Sequence, residues 1–306
     1  MHPALPPHTP SDDHPAGCWC GQEDACAPAG TARSLWQARR AFLLLGGAAT
    51  ASAALPAWAQ VDVGASSRLR HLVPAEELEQ AAEQEYAKLL QEARSQGKLV
   101  PAGDAQTQRL QRIAQALIPH TAAWNERARQ WQWSVALIRS NDINAFCMPG
   151  GKIAFFTGII DKLRLSDDEI AMVMGHEMAH ALREHSREQL AKNTATSLGI
   201  SLGAQLLGLG DVGNYAARLG GQLLSLRFSR NDESDADLVG LEIAARAGYN
   251  PQAAVALWEK MGNATGNNAN GLSFLSTHPS GPERIRELQR NVPSVQGLYQ
   301  AARRSR

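Results

Sequence analysis

The sequence predicts an α+β fold, mainly α-helical with a small β-sheet, on three observations. Apolar residues recur at helical spacing through most of the chain after residue 60. Only two short stretches, around Trp131 to Ile138 and Ile153 to Thr157, alternate or concentrate β-branched and aromatic residues as strands do. Ser166-Asp167-Asp168-Glu169 has the form of a capping box at the head of an apolar helix, with Glu169 reaching back to the Ser166 end.

The first element in order is a leader. Residues 1–38 are rich in Pro, His, Ala and Gly and carry no apolar period, so a disordered segment is expected. Cys18, Cys20 and Cys26 lie there in a C-x-C-x5-C spacing with no matching fourth ligand nearby, so a disordered or mis-started leader is preferred to a metal site. Arg39-Arg40-Ala41-Phe42-Leu43 then opens an apolar run to Leu55, closed by Ala57-Trp58-Ala59. A positive patch, an apolar stretch of about 15 residues and an A-x-A site form an export signal. The run is shorter than the about 20 residues that a membrane span needs. The paired arginines look like a twin-arginine signal, so export to the periplasm is expected, with cleavage after Ala59 or retention as a membrane anchor as the two outcomes. Cys147 is the one cysteine beyond that point.

A polar, Glu/Gln/Ala-rich helix is expected from Ala75 to Gln96, and a second helix from Ala105 to Ile118 with Leu110, Ile113, Ala114 and Leu117 on one face. Between the two strands, Asn144-Ala145-Phe146 and Pro149-Gly150-Gly151 read as a turn-rich link. Ile153 to Thr157 is expected to be an edge strand able to hold an extended peptide. Helical pattern runs from Asp167 to about His185. The apolar, Gly-rich residues 194–226 are interrupted by Asp211, Asn214 and Arg218 and read as two packed helices. Helices follow over 231–247 and 251–262, then a polar loop over Gly262 to Gly271.

Composition excludes one class of partner. Hydrophobic residues make up 44% and charged residues 20%, with 30 basic side chains against 30 acidic ones. A chain with no net charge offers no electrostatic footprint for nucleic acid.

The chemistry concentrates in His176-Glu177-Met178-Ala179-His180. On a helix, positions four apart point the same way, so both imidazoles can bind one zinc ion while Glu177 projects beside them as a general base. Ala171, Met172, Val173, Met174, Ala179, Ala181 and Leu182 flank the motif, so the helix is buried, and a metal would satisfy its polar groups together. One zinc-protease class draws its third ligand from a His six residues after the second, following a Gly. Arg183 and Ser186 occupy those positions here, which excludes that class. On a continuous helix His185 stands about 140° round from His180 and is expected at the surface. The third ligand is then a carboxylate from a later helix. Glu233 and Asp237 share a face in Glu233-Ser234-Asp235-Ala236-Asp237. Glu233 is assigned to the metal, and Asp237 to the free N–H of a ligand histidine, fixing its tautomer. Asp232 and Asp235 are accounted for by the helix dipole alone.

Together these residues resemble the gluzincin family of zinc metalloendopeptidases that contains HtpX, BepA, LoiP and the CAAX prenyl endopeptidases. The matching pieces are Asn144-Ala145-Phe146 with Pro149-Gly150-Gly151, His176-Glu177-x-x-His180, Glu233-x-x-Ala236-Asp237 with Gly240, and Thr277-His278-Pro279 with Arg284-Ile285. The resemblance implies a zincin-type protease: an active-site helix with HExxH, a second helix with ExxAD, and a small sheet beside the cleft. With the leader and the first helix read above, the expected organisation is an export leader over 1–59, an N-terminal helical extension over 60–103 and a zinc metallopeptidase domain over 104–306, the resemblance itself covering roughly 105–290. The resemblance also implies that His278, or alternatively Arg284, stabilises the oxyanion, unless His278 fills the open metal position at rest. No HtpX-like membrane helices and no tetratricopeptide segment are seen, so the resemblance is to the small soluble periplasmic members.

The expected function is zinc-dependent endopeptidase action on unfolded or misassembled envelope proteins, as protein quality control. Outer-membrane proteins are the implied clients, with peripheral association with outer-membrane assembly machinery. The rival is a non-catalytic, chaperone-like envelope factor with a structural zinc. Structural sites usually close all four positions with protein ligands, often Cys, and Cys147 lies outside the motifs.

Overall fold

A continuous apolar run at Ile153, Ala154 and Phe155, with no exposed surface at any of the three, sets the centre of the sheet. The computed structural model describes residues 61–193, 222–267, 273–279 and 281–305, all within the unit Ala57–Arg306. The expected leader over 1–59 and the apolar residues 194–221 lie outside the described residues.

Helix α1 (Ala75–Ser95) buries Leu78, Ala81, Ala82, Tyr86 and Ala93. The Tyr86 hydroxyl donates to the Ile153 carbonyl at 2.7 Å, fastening α1 to the sheet. Helix α2 (Ala105–Leu117) is capped by the Asp104 side chain, which accepts from the amides of Gln106 and Thr107. Its buried face contains Leu110, Ile113, Ala114 and Leu117, the four expected.

The sheet has three strands: β1 (Ser134–Ile138), β2 (Ala145–Met148) and β3 (Lys152–Phe156). Their order is β1-β3-β2, with β1 parallel and β2 antiparallel to β3. Contrary to the sequence-based expectation of an edge strand over 153–157, β3 is the central strand. The edges are β1 and β2, and part of β2 read as a link because it is short and bounded by Asn144 and Pro149. Gly150 and Gly151 close the β2–β3 turn at φ of 81° and 77°, a region that favours glycine. Thr157, expected at the strand end, instead begins α3 (Thr157–Leu163).

Helix α4 (Asp167–Leu182) has the capping box expected at Ser166 and Glu169, and nearly all of its residues are buried. Lys260 pairs with Glu169 at 2.7 Å, joining the start of α4 to α6. The helix stops earlier than expected. Glu184 adopts φ 60°, a left-handed conformation that terminates α4, and helix resumes over 185–193.

Helix α5 (Arg230–Arg246) opens on a second capping box, Ser229 with Asp232. Helix α6 (Ala253–Asn267) continues through residues expected to form a loop, because Gly262 and the polar residues after it still propagate the preceding apolar helix. Two short-range surprises follow: α7 (Ser273–Thr277) and the amphipathic α8 (Pro282–Arg304), which buries Arg284, Leu288, Val292 and Val295. Among the described residues no helix is long and apolar enough to cross a membrane.

Helices α4 and α5 cross with almost no space between their backbones. A Cβ at Gly240 would stand 2.6 Å from the His176 amide nitrogen, and one at Gly175 would stand 2.8 Å from the Gly240 carbonyl oxygen. Both contacts are with backbone, which has no rotamer to retreat into. Gly240→Ala is expected to force the helices apart, destabilising the protein by about 1–3 kcal/mol in denaturant unfolding and lowering its zinc content.

Candidate metal centre

The α4–α5 crossing carries His176 and His180 from α4 onto Glu233 at the first turn of α5, and α7 ends with His278 against them. All four residues are buried, and one donor atom from each lies within 4.8 Å of every other. His176 Nε2 is 3.1 Å from His180 Nε2 and 3.3 Å from His278 Nδ1. Glu233 oxygens stand 3.5 Å from both His176 Nε2 and His180 Nε2, and 3.0 Å from His278 Nδ1. Four donors held tetrahedrally at about 2.1 Å from a zinc ion would be roughly 3.4 Å apart. The observed separations scatter around that spacing, so the donor set fits one zinc ion.

Charge points the same way. Glu177, Glu233 and Asp237 place three buried carboxylates around the crossing, and among the described residues Arg284 is the guanidinium bonded to them. A dication brings the cluster to electrical balance, which burial demands. The Arg284 guanidinium lies 2.6 Å from Glu233 and donates twice to Asp237 at 2.7 Å, while its face rests on Trp258 at 3.7 Å from the ring centroid. Burial opposes the charge on Asp237, and Arg284 outweighs it, leaving the carboxyl below its usual range. Glu233 is likewise opposed by burial but held well below the carboxylate range by His180 and His278. Arg284 is therefore committed to a structural clamp rather than placed to meet an oxyanion, a correction to the alternative considered from sequence.

Asp237 Oδ1 is 2.9 Å from His176 Nδ1, the geometry expected of an acceptor that fixes the ligand tautomer. Glu177 differs from the other carboxylates. Burial raises its pKa, its Oε1 makes no hydrogen bond, and its nearest cationic neighbour is His278 Nε2 at 3.6 Å. Glu177, His180 and His278 line a cavity of about 170 Å³ whose other walls include β2, Leu89 of α1 and Phe228.

The sequence-based placement of His185 at the surface is wrong. The left-handed turn at Glu184 breaks the helix on which that expectation relied and returns His185 to the interior, 3% exposed, with its Nδ1 3.0 Å from His180 Nδ1. It remains outside the four-donor cluster. Phe228, stacked on the His180 ring at a centroid distance of 4.0 Å, was also not singled out, and nothing in its local sequence signals that role.

Residues 104–292 match Peptidase family M48. Among similar proteins, the chain is 39% identical to "Mitochondrial metalloendopeptidase OMA1" of Schizosaccharomyces pombe, over 54% of this chain and 48% of that one. It is 28% identical to "Metalloprotease LoiP" of Escherichia coli K12 over 68% of this chain and 79% of that one. It is 27% identical to the "Beta-barrel assembly-enhancing protease" of Escherichia coli O157:H7, over 53% and 35% respectively. The chain spans about half the length, or less, of the mitochondrial relatives that it matches.

Removing the carboxylate behind His176 releases the ring tautomer and leaves Arg284 half paired. Asp237→Ala is expected to weaken zinc binding roughly 10- to 100-fold, measured by competition with a chromogenic chelator.

Proposed function

Because the chain belongs to peptidase family M48, we propose that it is an endopeptidase that uses one zinc ion to cut unfolded or misassembled proteins of the cell envelope. The observation that carries catalysis is Glu177: a buried carboxyl oxygen with no hydrogen bond, aimed beside the four donors. Leaving such a group unpaired costs stability, and a purely structural zinc site has no use for it. That weighs against the chaperone-like rival.

In this reading His176, His180 and Glu233 hold the metal. Bound zinc supplies Lewis acidity, polarising the scissile carbonyl and making water a competent nucleophile at neutral pH. Glu177, with its pKa raised by burial, takes the proton from the attacking water and delivers it to the departing amine. Asp237 keeps Nδ1 of His176 protonated, so that Nε2 presents its lone pair. His278 has two roles open to it: stabilising the oxyanion, or closing the fourth coordination position at rest. Its Nδ1, 3.0 Å from Glu233 and 3.3 Å from His176, favours the second in this conformation, in which His278 would join the residues that hold the zinc.

The substrate class follows from the cleft. Its edge strand is β2, which can pair with an extended peptide, and its walls include Leu89, Phe146, Phe156 and Leu223. An apolar groove that needs main-chain pairing selects polypeptide whose backbone and hydrophobic side chains are exposed together, as in unfolded chains. Placement in the envelope rests on the Arg39-Arg40 signal and Ala57-Trp58-Ala59. The bacterial relatives support it, one of them being named for β-barrel assembly, and association with outer-membrane assembly machinery belongs to the same proposal. The division into a leader over 1–59, an extension over 60–103 and a catalytic domain from 104 is also proposed; the family match begins at that boundary.

Glu177→Gln is expected to retain zinc while cleaving unfolded casein roughly 10²- to 10⁴-fold more slowly, read by release of labelled peptides. Undiminished turnover would remove Glu177 from its role.

A further inference from the structure

The two metal-facing histidines of α4 are supported differently. His176 Nδ1 meets the Asp237 carboxylate, which Arg284 secures. Nδ1 of His180 meets no carboxylate; its partner is another imidazole, His185 Nδ1, at 3.0 Å. If His180 offers Nε2 to a metal, its proton sits on Nδ1 and must be donated. His185 can accept it only through an unprotonated Nδ1, which puts the His185 proton on Nε2. That nitrogen faces Asp235 Oδ2 at 4.0 Å, and Asp235 is paired with Arg183 at 3.0 Å. At 4.0 Å Asp235 makes no hydrogen bond to His185, so His180 is backed by an imidazole with a carboxylate nearby, whereas His176 is bonded directly to a carboxylate.

The backbone is shaped for this contact. His185 follows a left-handed, non-glycine residue, Glu184, whose carboxylate is held by Arg70 at 2.9 Å and Arg187 at 2.7 Å. Without that break the helix would continue and carry His185 away from His180. Phe228 stacks on the His180 ring at a centroid distance of 4.0 Å and packs against one of its faces.

We propose that His185 is a positioning residue for the metal site, which fixes His180 in its Nδ1–H tautomer and orients Nε2 toward the metal. The Asp235 carboxylate, 4.0 Å from His185 Nε2, favours a proton on that nitrogen electrostatically. The proposal rests on the reading of His176, His180 and Glu233 as the metal ligands.

The test compares wild-type full-length protein with His185→Phe, which keeps a ring but no acceptor, and His185→Gln, whose side-chain carbonyl can accept the His180 proton. Zinc affinity is read by chelator competition, and folding by thermal unfolding. His185→Phe should bind zinc roughly 10- to 100-fold more weakly, with His185→Gln recovering most of that loss. Equal zinc affinity in wild type and His185→Phe, or a Gln variant no tighter than Phe, would overturn the proposal. Should His185→Phe fail to fold, ¹⁵N spectra of the histidine rings in zinc-loaded wild type decide. Protonated Nδ1 on His180 and protonated Nε2 on His185 are expected, and any other pair of tautomers refutes it. Failure of wild type itself to bind zinc would instead refute the metal reading beneath it.

Discussion

Everything at this site depends on the backbone contact between Gly175 of α4 and Gly240 of α5. Side chains at either position would hold the helices apart, and donors separated along the chain by more than fifty residues could not share one ion. The contact has an electrostatic consequence. It buries Glu233 completely and Asp237 nearly so, and their charge must be met by neighbouring cations. Arg284, delivered by the first turn of α8, meets part of it and binds the two carboxylates into a single unit. The metal meets the rest. Fold stability and metal binding are thus coupled through the same buried charges.

Around that centre the protein recruits elements from beyond the family core. Helix α1 ends before residue 104, where the family match begins, yet Tyr86 anchors it to the central strand and Leu89 walls the cavity beside Glu177. The cleft is therefore partly walled by residues outside the matched segment. Its chemistry is set by α4, α5 and α7, whereas the surface that a polypeptide would lie against includes a helix that the shared core does not specify.

Sequence carried the site further than the fold. HExxH and ExxAD are each local patterns whose end residues stand four apart on a helix, so periodicity alone gives the direction of their side chains, and the structure brings His176, His180, Glu233 and Asp237 together. The capping box at Ser166 was equally legible, since its partners are neighbours in the chain. What sequence missed depended on breaks and on non-local packing. The placement of His185 failed because a left-handed Glu184 interrupts a helix that composition alone would continue. Strand β3 read as an edge because nothing in a five-residue run says how many strands flank it. Arg284 had a suggested chemical role, but its bond to Asp237 links positions that only the fold brings together.

The most direct measurement of the central claim is anomalous diffraction at the zinc edge from crystals of the zinc-loaded protein. The account predicts one strong peak bonded to His176 Nε2, His180 Nε2 and a Glu233 carboxylate oxygen. A peak elsewhere, or one at the histidines with Glu233 remote and another group completing the coordination, would contradict it.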